Sequence, residues 1–490
     1  MSTKKYQFWF LVGSQDLYGE ETLNQVERNS HIIADDLNKS GVLPWEVAYK
    51  DTLKTANGVT ALIKAANFDD NCAGVITFCH TFSPSKMWIN GLSLLQKPWL
   101  QFHTQFNEEI PNEAIDMDYM NLHQSAHGDR EHGYIGARMG LRRKVVAGYR
   151  FDVGTLERIA KWMRASVGAA FSRNLKVMRF GDNMREVAVT EGDKVESQIK
   201  LGWQVNTWSV GQLVEYMDSV TDSEIAAKLA EYRRKYTFSE PDTETIRYQA
   251  IEEIAIRKML DEQDCSAFTN TFENLYGMRQ LPGLATQNLM SQGFGYGGEG
   301  DWKVSALTAV MKAMTKDKPG GTSFMEDYTY DMKNGISLGA HMLEVCPSIA
   351  DSKPNIEVHP LGIGGREPPA RLVFEGKARA AIVASLIDMG THLRLIVQDI
   401  ECVKPTQTMP NLPVARVMWK PRPNLAIGAE CWILAGGAHH TVLSYDCDAE
   451  IMRDWARIFD IEFVHITDNS DPVTLEKELQ VSQLLRILNR

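Results

Sequence analysis

The chain has 490 residues, enough for about three domains of ordinary size. It is 44% hydrophobic and 23% charged, a balance that lets each domain bury a core. Its formal net charge is −11, with acidic and basic residues mixed along the chain, which excludes a general nucleic-acid binder with a basic face.

No apolar run approaches the roughly 18 residues of a membrane span, so no membrane partner is expected. The start, MSTKKYQFWFLVG, has a short apolar stretch from Phe8 to Val12 and no small-residue cleavage site, so export by a signal peptide is not expected. The seven cysteines are scattered, odd in number and free of any CxxC pair. Free thiols in a reducing cytoplasm fit that pattern better than a disulfide framework or a thiolate zinc site.

Tyr6 to Val12, Ala73 to Phe78 and Pro98 to Phe102 are short apolar runs that predict buried strands of a mostly parallel sheet. Each is followed by a polar segment: GSQDLYG (13–19), CHTFSPSKMW (79–88) and HTQFN (103–107). Ligands of open α/β sheets bind just beyond the carboxyl ends of strands, which makes these loops candidate site walls. Leu156, Ile159, Met163 and Val167 have helical spacing ahead of a looser GAAFSRN, and a first domain is predicted over 1–174.

A second α/β domain, 175–318, opens with the strand Leu175 to Phe180 and the loop GDNMRE. Thr221 and Glu224 form a capping-box pattern that starts a helix carrying Ile225, Leu229 and Tyr232. KDKPGG marks the next boundary. In the third domain, 319–490, Arg371 to Phe374 and Ala380 to Leu386 are joined through EGKAR, and His392 to Val397 follows Asp388-Met389-Gly390. Strands so closely spaced predict an antiparallel meander, with a terminal helix around Glu450 to Phe459. The expected fold is therefore two Rossmann-like α/β domains with parallel sheets, then a β-rich, barrel-like antiparallel domain.

Candidate chemistry gathers in the last two-fifths of the chain. GFGYGGEGDW (293–302) contains a literal GxGxxG, but GLATQNLMSQ before it has a helical pattern, so Gly293 reads as the end of a helix rather than part of a nucleotide loop. The glycines instead leave space around Glu299. Glu326 follows another glycine pair in GGTSFMEDYTYD, and His341 follows Gly-Ala in GAHMLEVCPS. In WILAGGAHHTVLS (432–444) two histidines adjoin after a double glycine. If that segment is a strand, alternation sends His439 and His440 to opposite faces and at most one reaches a given pocket. Carboxylates with imidazoles and no thiolates suit a fairly hard divalent ion such as manganese, magnesium or cobalt.

GSQDLYG, HTFSPSKMWINGL, PWLQFHTQFN, FGDNMREVAVTEGDK, GEGDW, GGTSFMEDYTY, HMLEVCPSIA and AGGAHHT together resemble the L-arabinose isomerases, in register over nearly the whole chain. The resemblance implies an intramolecular oxidoreductase that converts L-arabinose to L-ribulose through an enediol in L-arabinose catabolism, with D-galactose to D-tagatose as a further candidate reaction. It implies one divalent ion per subunit, usually Mn2+ with Co2+ or Mg2+ as substitutes, held by Glu299, Glu326, His341 and His440. Glu299 and Glu326 are also the implied catalytic acid and base. Gln15, Leu17, Phe82, Met184 and Phe272 would line the sugar site, with His439 lining it or orienting its neighbour. Gln124 and His127 would come from a neighbouring subunit of a homohexamer. The segment ITFCHTFSP departs from the expected bulkier pairing at Phe78 and Cys79, and Cys79 reads as a small buried hydrophobe.

Two other classes share part of this pattern. A glycosidase also uses paired carboxylates but needs neither a metal nor imidazoles. A sugar-binding α/β protein would share an aromatic-lined cleft without metal-dependent turnover.

Overall fold

The computed structural model describes residues 5–239 and 243–488; residues 1–4, 240–242 and 489–490, which belong to the three expected domains, lie outside the described residues. The chain forms two compact units. One is the chain up to Ala170 together with Arg453–Asp460, and the other is Phe171–Met452 together with the chain from Ile461 on.

In the first unit β1 (Gln7–Gly13), β2 (Glu46–Leu53), β3 (Cys72–Cys79), β4 (Trp99–His103) and β5 (Lys144–Ala147) make a parallel sheet in the order β2-β1-β3-β4-β5. Along β1, Phe8, Phe10 and Val12 join one core cluster while Trp9 joins another with Leu11. Alternation with both faces buried is what makes a parallel strand a continuous apolar run. Helices Gly19–Lys39 and Val153–Ser172 cover the first face, and Ala56–Phe68 and Ser125–Arg138 the second. Chain order reverses between β1 and β3, the place where doubly wound sheets of this order open a ligand crevice. The expected loosening at GAAFS does not occur: the helix runs through it, with Val167 and Ala169 buried, so its small residues serve close packing.

The second unit begins with a parallel sheet of β6 (Lys176–Phe180), β7 (Gln204–Trp208), β9 (Ala267–Asn270) and β10 (Gly295–Gly297), in the order β10-β9-β6-β7. The short β8 (Thr237–Phe238) lies in another sheet. Thr221 and Glu224 make the reciprocal capping box at the start of Asp222–Lys235, as their spacing predicts.

The barrel is built from β11 (Thr322–Asp331), β12 (Ile336–Ala340), β15 (Ala380–Asp388), β16 (Leu393–Val403), β17 (Arg416–Pro421) and β18 (His440–Ser444). Its antiparallel ring runs β15-β18-β11-β12-β17-β16 and closes where β15 pairs with β16. Closure removes the unpaired edges that an open antiparallel sheet would expose. β19 (Glu462–Ile466) adds to β16 in parallel.

Three local expectations need correction. Arg371 to Phe374 is not the neighbour of β15: β14 (Ala370–Val373) pairs with β13 (Asn355–Val358), which pairs with β8. EGKAR is not a turn, because its backbone crosses between sheets, with Gly376 N–H donating to Arg416 and Lys377 N–H to Ile349. The helix Ala449–Phe459 is not terminal, since β19 and the helix Pro472–Leu488 follow it. The apolar run at Trp432 closes the helix Leu425–Leu434, and the strand begins only at His440. Among the described residues no helix is long and apolar enough to cross a membrane, and all seven cysteines are free and buried.

Candidate metal and sugar site

Strand register assembles the first half of the site. Glu326 pairs directly with His440 across β11 and β18, and with Ala340 across β11 and β12, so His341 follows one residue beyond the same line. Directly paired residues of antiparallel strands project to the same face, which sets Glu326 beside His440. Phe324, two residues before Glu326 and so on its face, meets both imidazoles edge-on, at 4.9 Å from His341 and 5.2 Å from His440. It forms an apolar floor under the polar groups.

Glu299 arrives from the other sheet, on the loop after β10. Its φ of +61° is in the left-handed region, uncommon for a residue with a side chain, and the loop is held there from several sides. Met184 N–H donates to the Glu299 carbonyl (2.9 Å) and Gly300 N–H to Asn270 (3.0 Å). Gly300 has φ +82°, and a Cβ on it would lie 2.5 Å from the Asn183 Cα. Gly298 passes so close to His341 that a Cβ there would lie 3.1 Å from its Cε1. The glycines around Glu299 therefore allow two close approaches as well as leaving space.

The convergence is close. His440 Nε2 lies 3.6 Å and His439 Nε2 3.9 Å from a Glu299 oxygen, and His341 Nε2 lies 3.8 Å from Glu326. Both barrel histidines are anchored through the opposite ring nitrogen. His341 Nδ1 donates to Glu344 at 2.5 Å and His440 Nδ1 to Asp301 at 3.1 Å. Such carboxylate partners fix the ring and leave Nε2 to ligate. Asp301 has a second task, since its other oxygen caps the helix Trp302–Met314 by accepting from Val304 N–H.

Sequence reasoning did not single out Asp301, Glu344 or Phe324. The available signals were the aspartate two residues after Glu299 and the glutamate three after His341, neither distinctive alone.

The electrostatics favour a cation. Burial opposes charge on His341, yet the Glu344, Glu326 and Glu299 carboxylates outweigh it and lift its pKa to about 9. Burial likewise opposes charge on Glu299, but the bond from His439 and the adjacent imidazoles hold its carboxyl below the ordinary value. Asp301 is held low by the Lys303 ammonium and His440, against its burial. His440 Nε2 is buried with no hydrogen-bond partner among the described residues. A buried polar atom without a partner costs about 1–3 kcal/mol, so a ligand role gives it a physical reason.

The expectation about the paired histidines fails in one respect. His439 and His440 both reach Glu299, because His439 precedes the first residue of β18 and strand alternation does not govern it. Glu299, His439 and His440 hold donor atoms within 4.8 Å of one another. They differ in setting: the His440 side chain is fully buried and that of His439 is 41% exposed.

Met184 and Phe272 belong to the same neighbourhood, on the loops after β6 and β9. Met184 bonds the Glu299 loop directly, and Phe272 follows Asn270, the acceptor for Gly300. Gln15, Leu17, Phe82, Gln124 and His127 form a separate group in the first unit. Gln15, Leu17 and Phe82 line a cleft of about 460 Å³ with Tyr18, Thr22, Asp118 and Asn121. It sits over the β1/β3 reversal, where the topology places a crevice. The Phe82 and His127 rings lie 4.7 Å apart, and Tyr18 donates to Gln124 at 3.0 Å. Gln15, Leu17 and Phe82 thus line one cleft of one chain, and Gln124 and His127 contact its lining residues Tyr18 and Phe82. Cys79 is fully buried, and its backbone N–H donates to Asp129, a packing role.

Comparison with known proteins gives the family. Family models match for the L-arabinose isomerase N-terminal domain over 2–174, the central domain over 176–317 and the C-terminal domain over 321–462. The chain is 53% identical over 492 residues to the L-arabinose isomerase of Geobacillus stearothermophilus, covering 99% of each chain. It is 54% identical over 485 residues to that of Thermotoga petrophila, covering 98% of each. Matched along its length in all three parts, the chain belongs to the L-arabinose isomerase family.

Proposed function

We propose that the chain interconverts L-arabinose and L-ribulose at a site holding one divalent cation, Mn2+ with Co2+ or Mg2+ as substitutes, through Glu299, Glu326, His341 and His440. D-Galactose to D-tagatose is the same chemistry on a hexose. The observation that carries the reading is the pair of imidazoles, each tied through Nδ1 to a carboxylate and each bringing Nε2 within 4 Å of Glu299 or Glu326. When bound, the cation would supply Lewis-acid polarisation of the oxygens on C1 and C2.

The chain's own residues move the protons. Aldose and ketose differ by one hydrogen shifted between C1 and C2, with a matching shift between the oxygens. Of Glu299 and Glu326, one carboxylate takes the C2 proton and returns it at C1 while the other carries the hydroxyl proton. The buried Phe324 ring shields the floor from water, and Met184, Phe272 and His439 orient the sugar beside it. A glycosidase would have no use for the anchored imidazoles.

Activity of metal-stripped protein with L-arabinose tests the proposal. Turnover should vanish after exhaustive chelation and return with manganese. Full turnover with no metal found by elemental analysis would overturn it.

The assembly belongs to the same proposal: a cytoplasmic homohexamer in which a neighbour's Gln124 and His127 complete each pocket. Because Gln15, Leu17 and Phe82 share their cleft, they would travel with that pair. In a closed ring every subunit both gives and receives. His127→Ala and Glu299→Gln chains, each inactive, should rescue each other when unfolded together and reassembled. With equal random mixing, about a quarter of pockets combine an intact donor with an intact acceptor. Mixed oligomers detected by native mass spectrometry that stay as inactive as the parents would show that His127 serves its own chain or none.

A further inference from the structure

We infer that Tyr18 and Asn121 are positioning residues that clamp the Gln124 side chain and so determine which hydrogen-bonding groups the cleft offers to the sugar. The inference rests on the proposed role of Gln124 in sugar binding.

The Gln124 backbone is already fixed. It caps the helix Ser125–Arg138, and its carbonyl accepts from His127 N–H at 3.0 Å and Gly128 N–H at 2.8 Å. The remaining freedom is in the side chain, whose terminal amide torsion is broad and roughly two-fold. Two contacts remove it. The Tyr18 hydroxyl donates to Oε1 at 3.0 Å, and Nε2 donates to the Asn121 Oδ1 at 3.3 Å. Tyr18 ends the turn after β1, and Asn121 lies on the helix Met117–Leu122. The Tyr18 hydroxyl thus reaches a side chain 106 positions along the chain, and both clamp members line the cleft.

The clamp has a chemical consequence. A carboxamide has two donor hydrogens and two acceptor lone pairs. Tyr18 takes one lone pair and Asn121 takes one hydrogen, leaving one of each for a ligand. That remainder suits neighbouring hydroxyls of a polyol, one accepting and the next donating. Reversing the amide would set its oxygen against the Asn121 oxygen, acceptor against acceptor. Removing the Tyr18 hydroxyl frees the amide to rotate, and the sugar must then pay for its ordering on binding.

A double-mutant cycle on manganese-loaded protein tests this, with KM and kcat for L-arabinose, manganese affinity and melting temperature all measured. Tyr18→Phe should raise KM by roughly 2- to 12-fold, the range spanned by one hydrogen bond's net worth, and leave kcat and manganese affinity close to wild type. In a Gln124→Leu background the same change should add less than about twofold, because nothing remains to position. Asn121→Ala should behave alike, and it carries the test if Tyr18→Phe lowers the melting temperature. If Gln124→Leu leaves KM unchanged, the underlying role of Gln124 fails. If Gln124→Leu raises KM and Tyr18→Phe does not, the clamp is overturned. An equal Tyr18→Phe effect in both backgrounds also overturns it, since Tyr18 would then act without Gln124.

Discussion

Glu299→Gln and Glu326→Gln should each lower kcat on L-arabinose by at least the 10²–10⁴-fold typical of a lost acid or base. Each change keeps the side chain's size and removes only the carboxylate's charge and proton-carrying ability. At Glu299 the backbone sits at φ +61°, which glutamine meets with the same strain as glutamate, so the loop has no new reason to move. Neither carboxylate can be spared by its twin. Glu299 lies against His440 and His439, whereas Glu326 lies against His341. The measurement is kcat with saturating manganese, alongside manganese affinity and a melting curve. A folded, metal-loaded Glu326→Gln protein that retains more than about a tenth of wild-type kcat would remove Glu326 from the proton path.

His440→Ala should weaken manganese binding by more than the 10–100-fold that follows loss of a ligand's hydrogen-bonding partner, because the ligand itself is removed. The structure distinguishes the two adjacent histidines by what each ring nitrogen does. His440 is buried, anchored on Asp301 through Nδ1, and has an Nε2 with no partner among the described residues. His439 is partly exposed, and its ring engages the Glu299 carboxylate from outside the strand. His439→Ala should therefore keep manganese within about tenfold of wild type and mainly raise KM for the sugar, a loss comparable to an outer partner at most. Calorimetric titration of metal-free protein reads both. If His439→Ala lost the metal and His440→Ala kept it, the two assignments would be exchanged.

Much of the fold was legible because its signals are local. β1, β3, β4 and β6 announce themselves as apolar runs since both faces of a doubly wound sheet are buried. The capping box of Thr221 and Glu224 and the hairpin around Met389 depend on residues within a few positions of one another. β2 (EVAYKDTL) gave no clear signal because it is the outer strand of its sheet and leaves five of its eight residues partly or fully exposed, which blurs the pattern. β5 is four residues long and alternates buried with exposed.

The candidate site residues were nominated in another way, through motifs whose residues resemble a family's. GEGDW, FMEDY, GAHMLEV and AGGAHHT name Glu299, Glu326, His341 and His440 without any geometry. Spacing could not say that these four meet. Glu299 and His440 lie 141 positions apart, one on the loop after β10 and the other in β18, and only long-range strand pairing sets β18 beside β11. Glu344 reaches His341 from three residues along, in the turn after β12, and Asp301 reaches His440 from the loop after β10. In sequence each is one acidic residue among 63, and its role depends on where a distant or turned backbone points it.

Pairing between strands is a long-range choice that nearby residues constrain weakly, so EGKAR looked like a turn where the chain instead crosses from one sheet to another. His439 follows the same rule at the scale of one residue. The alternation that would have turned it away holds inside a strand, and the tertiary structure starts that strand one residue later. Sequence alone therefore determined the family and many of the strand-forming segments, and it nominated the donors. Tertiary structure decided which donors face one another, because hydrogen-bond register and barrel closure are set by contacts between segments that no local pattern encodes.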